Sequence, residues 1–75
     1  MNQITLFGKI INQPQQNTIR IQLENKETLK IILPESLKEN INNLILLEGF
    51  IKEDQAGIIR IYAQRYKIIK MDTPF

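Results

Sequence analysis

The chain has 75 residues, carries a net charge of +2, and contains no cysteine, histidine or tryptophan. That length bounds it to one domain near the lower limit for independent folding. The missing residue types exclude disulfides, Cys/His zinc sites and an imidazole base. No pair of its eight acidic residues falls in an evident catalytic frame. The composition therefore points away from an enzyme and implies no cofactor and no metal. No run approaches the roughly 18 apolar residues that span a bilayer. The first residues, MNQITLFGK, lack the charged start and apolar core of a signal peptide, so membrane insertion is not expected. Isoleucine, asparagine and glutamine are abundant and lysine outnumbers arginine, a bias that accompanies AT-rich coding sequences.

The elements follow in chain order. Ile4, Leu6, Gly8 and Ile10 alternate with Thr5, Phe7 and Lys9, which predicts a half-buried strand. A polar turn follows over Asn12 to Asn17, punctuated by Pro14. Ile19, Ile21 and Leu23 alternate with Thr18, Arg20, Gln22 and Glu24 in the cleanest strand of the chain. Asn25, Lys26 and Glu27 form a tight link to a third strand, with Leu29, Ile31 and Leu33 inward. Pro34 suits the first turn of a helix, and Leu37 and Ile41, four apart, give that helix one apolar stripe. A fourth strand spans about Leu44 to Lys52, with Ile45, Leu47, Gly49 and Ile51 inward. Glu53 to Gly57 turns the chain. A fifth strand places Ile59, Ile61 and Ala63 inward and continues irregularly through Tyr66 to Ile69.

The predicted order is βββαββ: all-β with one short helix, the layout of a five-stranded OB-fold barrel over residues 1–70. A short C-terminal tip of residues 71–75 follows. An SH3-like barrel is the competing architecture. Gly8 and Gly49 lie inside strands, where glycine marks a bulge or a sharp bend.

Alternation leaves Phe7, Lys9, Arg20, Gln22, Lys30, Phe50, Lys52, Arg60 and Tyr62 outside. Three strands thus combine a cation with an aromatic residue on the outer face. One reading has Phe7, Phe50 and Tyr62 stacking on bases while Lys9, Arg20, Lys30, Lys52 and Arg60 track phosphates, as single-strand binders do. Another has the phenylalanines covering an interface between copies of the chain, since so small a barrel has little core of its own. The cations have an alternative role too, as solubility and edge-protecting groups.

These residues resemble a family. Ile4-Thr5-Leu6-Phe7-Gly8-Lys9-Ile10 is similar to the first strand of the bacterial single-stranded DNA-binding protein (SSB) superfamily. Ile45-Leu46-Leu47-Glu48-Gly49-Phe50-Ile51 is similar to its fourth, and Ile59-Arg60-Ile61-Tyr62-Ala63 with Ile68 to its closing strand. Within the superfamily the chain looks most like primosomal replication protein N and the short SSB-like plastid and cyanobacterial reading frames. The end, Asp72-Thr73-Pro74-Phe75, resembles the acidic Pro-Phe tip that partner proteins bind, which implies a partner-binding role for Asp72, Pro74 and Phe75. Two features depart from the family: the stacking tryptophans are absent, and the link between the second and third strands is nearly minimal.

The resemblance implies a non-enzymatic, oligomeric protein of replication and repair that binds single-stranded DNA. It would act in the cytoplasm and nucleoid or in a plastid stroma. The shortened link and mild charge equally suit a barrel docked as an interaction subunit within a larger protein assembly. Single-stranded RNA is the third candidate ligand.

Overall fold

The computed structural model describes residues 2–71, and within them the chain is all-β. Five strands are present: β1 (Asn2–Gln15), β2 (Thr18–Gln22), β3 (Thr28–Ile32), β4 (Leu44–Glu53) and β5 (Ile59–Ile69). They form one sheet that closes on itself in the order β1-β2-β3-β5-β4. Every pairing is antiparallel except β3 with β5, where Ile31 faces Ile61 and Ile32 faces Tyr62.

Closure depends on β1, which serves two neighbours. Its first half pairs with β4 from Asn2 to Lys9 and its second half with β2 from Lys9 onward. The strand must bend where it changes partner, and Gly8 sits at that bend. A Cβ there would stand 2.8 Å from the Gln22 carbonyl oxygen. Register shifts between Ile10 and Asn12, and between Asn12 and Gln15, add further curvature. They also carry β1 through Pro14, past the point where the turn was expected; proline is tolerated at such irregularities.

The ring's interior follows the period of two. Ile10, Ile19, Ile21, Ile31, Leu33, Ile45, Leu47 and Ala63 are buried, and Leu6, Leu23, Leu29, Leu37, Ile61, Tyr66 and Ile68 pack around them. Each fully buried isoleucine or leucine contributes roughly 1.5–3 kcal/mol. Ile59 does not belong to this set: it is 65% exposed, because the expected alternation carries it past the end of the ring beside Glu53.

The expected helix after Pro34 does not form, and the described residues contain none. The backbone between β3 and β4 bonds mainly to β1 and the β1–β2 turn, with one local bond from Asn43 N–H to the Asn40 carbonyl (3.1 Å). Leu33 N–H donates to the Asn17 carbonyl (2.7 Å), Leu37 N–H to Gln16 (2.8 Å) and Asn42 N–H to Ile10 (2.7 Å). The Gln13 side-chain amide donates to the Leu37 carbonyl at 2.7 Å. A two-turn helix is marginal by itself, and Asn40, Asn42 and Asn43 favour turns over helix. Asn42 takes a left-handed φ of 76°. The segment crosses the end of the ring as an irregular strap, with Leu37 packed on the core and Ile41 38% exposed.

Candidate nucleic-acid interface

Cross-strand register orders the outer face into rows. Lys52 lies opposite Arg60 beside the β4–β5 turn. The next row runs Gln3, Phe50, Tyr62 and Ile32 across β1, β4, β5 and β3. Thr5, Glu48 and Arg65 form the third row, and Phe7, Leu46 and Lys67 the fourth. Lys9, Leu44 and Ile69 close the far end.

The row of Phe50 and Tyr62 is the most organised. Their half-buried rings stack on each other with centroids 5.6 Å apart and planes 18° from parallel. Their mutual packing fixes an aromatic platform, a geometry aromatic pairs favour when offset, whose free ring faces lie on the outside of the stack. A shallow cleft of about 270 Å³ opens beside it, bounded by Ile32, Leu33, Pro34, Phe50, Tyr62 and Gln64 among others.

The cations gather on the other side of this platform. Arg20 faces Lys30 across β2 and β3. Because β3 and β5 run parallel, Lys30 and Arg60 each precede the Ile32–Tyr62 pair by two residues and fall at one level. Arg20, Lys30, Arg60 and Lys52 therefore form a basic band along the aromatic row.

One cation of that band is already engaged. Asp54 organises the β4–β5 turn: its Oδ1 accepts from the N–H groups of Ala56 and Ile58, each at 2.9 Å. Its Oδ2 accepts from Arg60 Nη1. Gly57 completes the turn with a φ of 81°, a conformation that favours glycine. The Arg60 bond, followed by the Ile58 N–H, holds the Asp54 carboxyl below its ordinary 3.8. The resulting stabilisation of the turn is present above that ordinary value and is lost as pH falls through the lower folded-state value. Arg60 is correspondingly held above its ordinary value by its bond to Asp54.

The sequence-predicted residues thus divide. Phe50, Tyr62, Lys52, Arg60, Lys30 and Arg20 come together in two adjacent rows. Phe7 and Lys9 do not join them. Phe7 follows Gln3 by four residues along β1, roughly 13 Å at strand spacing, and it stands over Leu46 at 49% exposure. The tip residues Asp72, Pro74 and Phe75 lie outside the described residues.

Sequence reasoning missed Asp54, Ile32 and Gln64. Asp54 had a readable signal, because an acidic residue opening a tight turn before an arginine can reach it across the hairpin. Gln64 had a readable signal too, since it continues the outward parity of Arg60 and Tyr62.

Compared with known proteins, the chain matches no protein-family model and no curated protein.

Proposed function

We propose that this chain is a non-enzymatic OB-fold protein that binds single-stranded DNA through the Phe50–Tyr62 platform and the adjoining basic band. The observation that carries the reading is the pairing of a stacked aromatic row with a row of cations at one level. Bases have π-faces of any sequence to lay on such a platform, while their phosphates need charge alongside. The OB assignment draws support from the strand order 1-2-3-5-4 and from the long first strand shared between two neighbours. In that fold the face of strands 2 and 3 and the loop between strands 4 and 5 take up oligonucleotides. Arg20 and Lys30 occupy the first, and Asp54 and Arg60 adjoin the second. The likeness of β1, β4 and β5 to SSB strands agrees with this reading and would place the protein in replication and repair.

Its direct test is charge removal. Lys30→Gln together with Lys52→Gln is expected to flatten the dependence of log affinity on log salt by about 1.4, at roughly 0.7 per phosphate for single strands. An unchanged slope would remove phosphate tracking from the band.

Asp54 yields a prediction of opposite sign. Asp54→Asn keeps an oxygen for the Ala56 and Ile58 N–H groups but gives up the charge that engages Arg60. Affinity for an oligothymidine at low salt is expected to rise several-fold, with a slope steeper by about 0.7 as Arg60 becomes available to one more phosphate. A loss of affinity on this substitution would mean that the turn's order matters more than Arg60's charge.

Oligomerisation belongs to the same reading. At the far end of the face Phe7 and Leu46 lie opposite each other, 49% and 42% exposed, and Ile69, 37% exposed, lies in the next row on β5. We assign that end to contact between copies, because two such small rings gain buried surface there. Phe7→Asp is expected to lower the solution mass measured by light scattering while leaving the platform intact. An unchanged mass would release Phe7 from this role.

A further inference from the structure

We propose that the cleft beside Tyr62 seats one base of the bound strand and that Gln64 reads that base's edge, with adenine preferred. The inference rests on the single-strand reading above and adds a specificity-determining residue to it.

A bulge puts Gln64 in place. Gly49 pairs with Ala63 and Glu48 with Arg65, so Gln64 is an extra residue in β5 with no partner on β4. Alternation therefore breaks, and Gln64 and Arg65 are both exposed. Bulges of this kind re-aim side chains and are frequent beside binding sites. Here the bulge is built around Gly49. A Cβ on that residue would overlap the Tyr62 carbonyl oxygen, so no other residue lets β5 come this close to β4.

The placement has a direction. Going along the face, the order is the cations Lys52 and Arg60, then Phe50 and Tyr62, then Gln64. A strand whose phosphates lie along the cations would stack its bases on the aromatic row. It would then point their hydrogen-bonding edges at the Gln64 amide.

The cleft's volume of about 270 Å³ falls just below the roughly 300–1,000 Å³ of drug-sized ligand pockets. Ile32, Leu33, Pro34 and Phe50 make it apolar, which suits a base face. Among the described residues the Gln64 side chain has no hydrogen-bond partner, so its donor and acceptor are both available.

Adenine is the base with most to gain. A glutamine amide matches its N6–H and N7 bidentately. Its other edge offers N6–H beside N1 in the same donor–acceptor order, so the base can be read in two orientations. Its two-ring face also covers more of the platform than a pyrimidine does.

The test is anisotropy titration of the full chain with oligodeoxyadenosine and oligothymidine of equal length. Wild type and Gln64→Ala are compared by their ratio of affinities, so that stacking within the adenine strand cancels. Gln64→Ala is expected to shift the ratio about fivefold against adenine, the low end of what a bidentate amide–base pair supplies, with the salt slope unchanged. Gln64→Glu, which keeps size and an acceptor but loses the donor, is expected to move preference toward cytosine, whose amino group donates to a carboxylate. Equal ratios in wild type and Gln64→Ala, with both strands bound, would overturn the role of Gln64 and leave the single-strand reading standing. Failure of wild type to bind either strand would overturn both.

Discussion

Replacing Gly49 with alanine is expected to cost this protein at least about 3 kcal/mol, more than half the stability of a domain at the low end of the usual range. The added Cβ would overlap the Tyr62 carbonyl oxygen and stand 2.9 Å from its carbon and 3.0 Å from the Ala63 Cα. All three atoms are backbone, so no side chain can rotate aside. Relief requires β4 and β5 to separate at the bulge, which loosens the ladder that also holds Phe50 against Tyr62. Overpacking in a well-ordered interior typically costs 1–3 kcal/mol, and a clash with backbone belongs at the top of that range or beyond. Domains have only about 5–15 kcal/mol of net stability, and a chain of this size sits near the low end. Gly8→Ala meets the Gln22 oxygen at 2.8 Å and is expected to cost less, on the order of 1–2 kcal/mol. Urea unfolding of the two variants measures the difference. Equal midpoints for Gly49→Ala and wild type would show that the close approach of β5 is not required.

The second large effect concerns binding. Phe50→Ala and Tyr62→Ala are each expected to weaken oligothymidine affinity by about 1–3 kcal/mol, which is roughly 5- to 150-fold. Because the rings lean on each other, the two losses should not add: removing either one leaves the other poorly supported. The double variant is expected to fall little below the worse single one. Phe7→Ala sets the scale for a ring outside the platform, and its affinity should change less than either. If Phe7→Ala matches Phe50→Ala instead, base contacts extend down the face toward Leu46 and the platform is not special.

How far the sequence carried the account depends on the range of the forces involved. Strand alternation was legible because it is local. Ile19 with Ile21 and Ile45 with Leu47 alternate in a period of two, and each pair is buried as expected. The strap between β3 and β4 was misread as a helix because Pro34, Leu37 and Ile41 are local signals too. The partners that defeat the helix, the carbonyls of Asn17, Gln16 and Ile10, lie 16 to 32 residues away. No local pattern announces them.

The site was legible in part for a related reason. Residues on outer faces can be named from alternation, and Phe50, Lys52, Arg60 and Tyr62 were. Which of them meet depends on register. Register puts Gln3, not Phe7, opposite Phe50, and so leaves one predicted aromatic at the other end of β1. Gly49 was visible as an interruption, but its reason, the Tyr62 carbonyl, belongs to another strand. The same bulge brings Arg65 to the outer face, where alternation would have turned it inward, since a single extra residue reverses the faces that follow it.

The measurement that bears most directly on the central claim is an anisotropy titration of a labelled oligothymidine at low and moderate salt, with duplex DNA and matched single-stranded RNA as comparisons. The account predicts binding to the DNA single strand that exceeds binding to duplex and weakens steeply with salt. No binding to any single strand at low salt would contradict it. The stacked pair and its basic band would then have to be explained as a surface for another protein.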